Sequence, residues 1–185
     1  MPTIKSKKLA LRPRSNRGGI GFILRPYKKG DEKSLALNIN NKKIYRNTLH
    51  IPYPYTLKDA KKWIDDNLKE AKNKEPKSIN FAIDIKGEVA GGIGFDNIQE
   101  HKAEIGYWLG EKYWSQGIMT QAVKLITKFG FEKLKLKRTY GFVFLWNKPS
   151  ARVLEKNGFK LEGILRKNVK KDNKLLDSYI FAKIK

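Results

Sequence analysis

The sequence predicts a single mixed α/β domain, and three observations carry that reading. Short apolar runs bounded by turn residues interleave with segments of helical spacing, so strands and helices alternate along the chain. The 185 residues, 40% hydrophobic and 11% aromatic, suffice for one packed core and are marginal for two. Neither an internal repeat nor a low-complexity linker divides the chain. The expected order is strand, two helices, three strands, helix, strand, helix, two strands.

Residues 1–21 read as a basic arm or hairpin, with Leu9–Arg12 and Phe22–Arg25 flanking the turn-rich Ser15–Gly19, and the domain proper spans 22–185. Asp31 precedes Glu32–Ile39, a short capped helix. Leu49–Tyr55 is an aromatic loop, because Pro52 and Pro54 forbid a regular helix. Thr56-Leu57-Lys58-Asp59 has capping-box spacing and opens a helix carrying Ala60, Trp63, Ile64 and Leu68 on one face. Phe81–Ile85, the turn Lys86-Gly87-Glu88 and Val89–Phe95 form a hairpin. Its Gly91-Gly92-Ile93-Gly94 lies inside a strand with no helix after it, which argues against a nucleotide loop. Ala103–Leu109 is the next strand, where Gly106 marks a bulge or a close approach. Beyond Gly117, the residues Ile118, Ala122, Val123, Leu125, Ile126 and Phe129 predict a buried amphipathic helix. Lys137–Leu145 is a strand, and Asn147-Lys148-Pro149-Ser150 opens a helix that Asn157-Gly158 ends. Phe159–Gly163 and Leu175–Ile184 close the chain as a hairpin about Lys171–Lys174.

Composition narrows the chemistry. With no cysteine there is no disulfide, thiolate nucleophile or cysteine-ligated metal, and His50 and His101 are too few for a histidine-rich site, so no metal is expected. No apolar run approaches ~20 residues, and a cytoplasmic protein without a membrane partner is expected. The net charge of +22 attracts polyanions, and on charge alone nucleic acid, a phosphorylated cofactor and an anionic surface stay open. Lys5, Lys7, Lys8, Arg12, Arg14 and Arg17 gather in the arm with no acid among them.

The stretch Tyr113-Trp114-Ser115-Gln116-Gly117-Ile118-Met119-Thr120-Gln121-Ala122-Val123 places a strand, a turn and a helix N-terminus in succession. Backbone N–H groups at such a start lack intrahelical partners and form an anion cradle, which Gly117 leaves open to close approach. The same residues also suit a plain surface helix capped by Ser115. A second constellation decides between them: Asn147 and Ser150 sit three residues apart where a strand exits into a helix, poised to face whatever lies between that strand and Ile105–Leu109.

Together these motifs resemble the GNAT superfamily of acetyl-CoA-dependent N-acetyltransferases, and within it the ribosomal-protein N-terminal acetyltransferases (the RimJ/RimL-like group). The resemblance runs from about Ile23 to the C-terminus through Leu24-Arg25-Pro26-Tyr27 with Asp31, Pro54-Tyr55-Thr56 with Ala60 and Trp63-Ile64, Ala90–Gly94, Ala103–Leu109, Tyr113–Ala122 and Asn147–Phe159. It implies a GNAT fold: one mixed, mostly antiparallel twisted sheet, helices on both faces, and a splay between two central parallel strands. It further implies that the amides of Gln116, Gly117, Ile118, Met119 and Thr120 cradle the pyrophosphate of acetyl-CoA. The pantetheine arm would lie between the strands, against Tyr107, Trp108, Leu109 and Asn147, with an N–H near Trp108 or Leu109 polarising the thioester carbonyl.

Transfer to an amine needs a base for the ammonium, a donor for the oxyanion and an acid for the sulfur. Leu154 stands where many members of the superfamily carry an acidic tyrosine, so Ser150 with Asn147 is implied to face the sulfur. Glu104 is the candidate base; a structural ion pair with a nearby Lys or Arg is its ordinary alternative. Met119 departs from the small residue usual there, and Val169 stands where some relatives carry an acid, leaving Glu104, His101 or solvent. Acceptor contacts are expected from His50–Tyr55, especially Tyr53 and Tyr55 as pocket walls, from around Trp63, and from Tyr107. The resemblance implies transfer to a protein N-terminal amine, with ribosome or RNA contact through the basic surface and a monomer or homodimer. A small amine such as a polyamine or aminoglycoside, or a non-catalytic RNA binder of the same fold, is the alternative.

Overall fold

The computed structural model describes residues 21–185, so the expected basic arm lies, save its last residue, outside the described residues. Five helices, α1 (Glu32–Ile39), α2 (Lys42–Asn47), α3 (Leu57–Glu70), α4 (Ile118–Glu132) and α5 (Lys148–Lys156), pack on seven strands. The strands are β1 (Ile23–Pro26), β2 (Ile79–Ile85), β3 (Glu88–Asp96), β4 (Lys102–Leu109), β5 (Arg138–Phe144), β6 (Lys160–Lys171) and β7 (Lys174–Ile184), in the sheet order β1-β2-β3-β4-β5-β7-β6. Every pairing is antiparallel except β4 with β5. That parallel pairing covers only Lys102↔Arg138, Ala103↔Thr139 and Glu104↔Tyr140, after which the two strands part. The expected splay is this fork.

The sheet buries both faces, which is why its central strands read as nearly continuous apolar runs. One face packs on α4 and α5 through Phe81, Phe95, Ile105, Ile118, Val123, Ile126, Phe129 and Leu154. The other packs on the helices α1 to α3 through Tyr27, Leu35, Ile44, Tyr55, Ile64 and Trp108. The second face also holds a charged cluster. Arg25 donates from both terminal nitrogens to Asp31 (2.8 Å each) and from Nε to Asp84 (2.6 Å), with little of any of the three side chains exposed. The paired carboxylates favour the charged guanidinium and hold its pKa above the ordinary value although burial opposes this.

Three expectations need correction. Helix α2 was not legible, because Ile44 is its one buried residue and too little for a periodic pattern; its start is fixed by Asn41, whose Oδ1 accepts from Lys43 N–H (2.7 Å). Strand β6 extends to Lys171, well beyond Gly163, since backbone pairing with β7 carries a lysine-rich edge that has no apolar alternation. Gly106 marks no bulge: β3 and β4 stay in register past it, Gly94↔Gly106 included. The Thr56–Asp59 capping box, by contrast, closes in both directions. The inner glycines of β3 are packing positions, for a Cβ on Gly92 would sit 2.5 Å from Trp108 Nε1.

Candidate active site

Helix α4 starts on Gly117, whose φ of 74° lies in the left-handed region that a side chain disfavours. The first intrahelical bond runs from Gln121 N–H to the Gly117 carbonyl (3.1 Å), which leaves the N–H groups of Ile118, Met119 and Thr120 pointing out of the helix end. Among the described residues no side chain caps them, and none lies within 4 Å of the place a Gly117 Cβ would take, so the approach to these amides is open. Ser115 does not cap the helix; it holds a left-handed turn (φ 59°) two residues before Gly117. The Met119 side chain, a departure that could have filled the turn, is buried in the α4 core, because the second residue of this amphipathic helix falls on its apolar face. Gln116 contributes backbone alone, its side-chain Nε2 donating to the Lys112 carbonyl (2.9 Å).

The fork supplies the second element. Gly110 N–H bonds the Ala90 carbonyl (2.8 Å), and strand groups alternate sides, so Trp108 and Gly106 also direct their backbone toward β3. Leu109 and Tyr107 therefore direct theirs into the gap beside β5. The Leu109 carbonyl is taken by Trp114 Nε1–H (2.7 Å), and its N–H is what the strand offers to the fork. Of the two expected oxyanion donors, Trp108 is thus excluded: its backbone faces β3 and its indole is buried under α1 and α3.

Across the fork, α5 begins. Asn147 caps it, Oδ1 accepting from Ser150 N–H (3.3 Å). The Tyr107 hydroxyl lies 2.8 Å from Ser150 Oγ and donates within 3.2 Å of the Ser150 carbonyl. Burial pushes the Tyr107 phenol well above its ordinary pKa, against the smaller opposing pull of Ser150, so it stays a neutral donor. Leu154 is buried in the core, and Asn157 ties α5 to α4 through the Thr120 carbonyl (3.1 Å).

Glu104 is the last β4 residue paired with β5, at the base of the fork, and its side chain points to the face opposite Tyr107. Among the described residues it makes no ion pair; Asn97 Nδ2 donates to its Oε2 (2.9 Å). Burial raises its pKa above the usual carboxylate range, Asn97 and His50 pull it down, and the charge of Asp96 raises it further. Asp96, directly opposite on β3, is likewise raised, chiefly by burial. Beyond Glu104 on the same face, Gly106 forms a bare floor: only Asp96 Oδ2, at 3.7 Å, comes within reach of an added Cβ.

The surrounding loop differs from the expectation in two ways. Tyr55 is core, its N–H bonded to Asn40 Oδ1 (2.9 Å) and its phenol pushed up to about 12 by burial, whereas Tyr53 is exposed beside Tyr45. The histidine whose charge reaches the acid pair is His50; His101 is exposed in the β3–β4 turn, its carbonyl holding Lys137 and Arg138 N–H. Trp63 stands edge-on to Tyr27 at 6.2 Å and is partly exposed, joining packing to surface. Val169 pairs with Leu176 in the hairpin and offers no acid. The tip of that hairpin grips α2 and the loop: Lys171 Nζ donates to the Thr48 carbonyl (2.9 Å) and covers the Tyr45 ring, and Tyr45 bonds Asp172. Asp96, Asn97 and the Tyr107–Ser150 contact escaped sequence reading; the β3–β4 hairpin register alone could have indicated Asp96.

A backbone anion cradle feeding a fork between parallel strands agrees with the family model for the GNAT acetyltransferase domain, which matches residues 22–160. The chain belongs to that family. It is therefore an acetyl-CoA-dependent N-acetyltransferase. The uncharacterized N-acetyltransferase p20 of Bacillus licheniformis is 36% identical over 60% of this chain, which spans 65% of that relative's length. The probable N-acetyltransferase YjcK of Bacillus subtilis (strain 168) is 31% identical over 89% of this chain and 94% of its own. The ribosomal-protein-serine acetyltransferase of Escherichia coli (strain K12) is 33% identical over 56% of this chain and 59% of its own. Among solved structures, the microcin C7 self-immunity acetyltransferase MccE in complex with acetyl-CoA and AMP superposes with a TM-score of 0.79 at 27% identity, over 88% of this chain and 92% of that one. Among the described residues no helix is long and apolar enough to cross a membrane, and no group of three acidic, histidine or cysteine side chains could hold a metal.

Proposed function

We propose that the chain acetylates the N-terminal α-amino group of a protein, using Glu104 as base and Ser150 as the donor to the leaving sulfur. The observation that carries this reading is the disposition about the fork: Glu104 lies at its base on one face of β4, and the Tyr107–Ser150 pair lies on the other. Acetyl-CoA supplies an acetyl group activated as a thioester. The open cradle over Gly117 to Thr120 fits its phosphates, and the unpaired edge of β4 fits its amide-bearing arm. Each remaining task falls to a residue in place. Glu104, its pKa raised by burial, takes a proton from the incoming ammonium. Leu109 N–H faces the gap as the oxyanion donor. Either hydroxyl can donate in the 2.8 Å Tyr107–Ser150 contact, and with Tyr107 donating to Oγ the serine hydroxyl proton is free to be directed to the sulfur.

Three things support a protein N-terminus over a small polycation. A net charge of +22 repels cationic acceptors, the Gly106 floor is bare with Tyr53 and Phe142 left exposed on the surface, and one relative acts on a ribosomal protein by its name. Calorimetric titration with acetyl-CoA, followed by an acetylation screen over peptides of varied first residue and over polyamines, tests the reading. Heat with acetyl-CoA and α-N-acetylated peptides are expected. Absence of heat overturns the cradle, and turnover of polyamines without peptides overturns the acceptor. Ser150→Ala should lower turnover more than it weakens CoA binding.

A further inference from the structure

We infer that Asp96 is a positioning residue of the transfer reaction, acting on the acceptor amine through Glu104. The inference rests on Glu104 as the base.

Asp96 and Glu104 are directly paired across β3 and β4, so their side chains rise from the same face of the sheet. Two residues further toward the mouth of the fork, on the same face, the pair Gly94↔Gly106 carries no side chains at all. Asn80 fills the space above Gly94, its Oδ1 lying where a Cβ would be, but among the described residues Asp96 Oδ2 is the one non-neighbouring atom within 4 Å of a Cβ on Gly106. The open floor over which an amine reaches the fork therefore has carboxylates at its edge, Glu104 in line along β4 and Asp96 beside it. Among the described residues Glu104 receives one hydrogen bond, from Asn97 to Oε2, which leaves Oε1 to accept a proton.

Other groups facing the pair do not neutralise it. His50 approaches from the loop before α3 and Asn80 from β2, and Tyr140 stands opposite on β5. Of the cations two positions along the same face, Arg138 is bound in two bonds to Glu162, and Lys102 makes no ion pair among the described residues. Two adjacent half-buried carboxylates cannot both ionise at their ordinary pKa: Asp96 ionises first, and its charge makes Glu104 hold a proton more tightly. An isolated Glu near ~4.3 is a weak base for an α-ammonium near ~8, and Asp96 narrows that gap. The first proton passes from the ammonium to Glu104, the electron pair left on nitrogen forms the new C–N bond as the C–S pair departs with sulfur, and the second proton shed by the acylated nitrogen balances the one taken up by the thiolate.

The test is the pH dependence of kcat/KM for a peptide acceptor, measured with the full chain. In Asp96→Asn the acid limb should move down by about half a pH unit or more, with the plateau several-fold lower and the affinity for acetyl-CoA unchanged. Asp96→Glu should hold the limb where it is. A uniform loss at every pH with the limb unmoved overturns the inference and leaves Asp96 a strand residue. Should the amide variant not fold, Asp96→Ser gives the same reading. Glu104→Gln separates the two claims: if it keeps the full rate, the assignment of the base fails, and if it loses rate while Asp96→Asn leaves the limb in place, only the role of Asp96 fails.

Discussion

Along β4, Ala103, Ile105 and Leu109 turn toward α4 and are buried in its core, whereas Glu104 and Gly106 turn toward the opposite face and its open floor. In the proposed reading, cosubstrate binding on the first side falls to main-chain groups, the cradle at Gly117 to Thr120 and the Leu109 N–H. Acceptor chemistry on the second falls to side chains. A main-chain site depends on conformation, so it tolerates a Met at position 119 provided the helix starts in the same place. A side-chain site depends on single atoms, so one substitution abolishes its chemistry without touching the fold.

Predictions that break this contrast run from large to small. Glu104→Gln should lower kcat/KM by about 10²–10⁴ with acetyl-CoA affinity unchanged in calorimetry, since only a proton acceptor is removed. Arg25→Ala, far from both sites, should cost about 3–5 kcal/mol in urea unfolding, because it strands the buried Asp31 and Asp84 carboxylates. Gly117→Val should cost about 1–3 kcal/mol of stability at its positive φ and weaken acetyl-CoA at least tenfold while the acceptor KM holds; an unchanged affinity would remove the cradle from the cosubstrate site. Tyr107→Phe should reduce kcat several-fold with about 1 kcal/mol lost in stability, because Ser150 loses one neutral partner. The smallest effect concerns pH. Glu104 has a folded pKa above its unfolded one, so the stability it contributes is full below the ordinary carboxylate range and is lost as pH rises through the folded value. Glu104→Gln should therefore raise the melting temperature slightly above pH 7 and leave it unchanged near pH 3.

Much of this was legible in the residues. The α4 helix, the Thr56 cap and the β2–β3 hairpin follow from periodicity and end signals that act over a few residues. Helix α2 was not, because packing of one residue, Ile44, and an Asn cap sustain it. Tyr55 read as a pocket wall and Tyr53 with it; a loop without periodicity gives no sign of which aromatic turns inward. Equally, nothing local separates His50 from His101, or Leu109 from Trp108 as the donor to the fork.

What the sequence by itself determined was the inventory and its order: a glycine at a helix start, an Asn and a Ser at another, a glutamate in a strand, no cysteine, and a strongly basic surface. Those depend on short-range sterics and hydrogen bonding, which neighbouring residues settle. Tertiary structure alone decided that β4 and β5 part after Glu104, that Asp96 stands across from it, and that Tyr107 reaches Ser150 from another element. These depend on register and on which side of a strand each group faces, and a contact between residues 43 positions apart exists only once the sheet has been assembled.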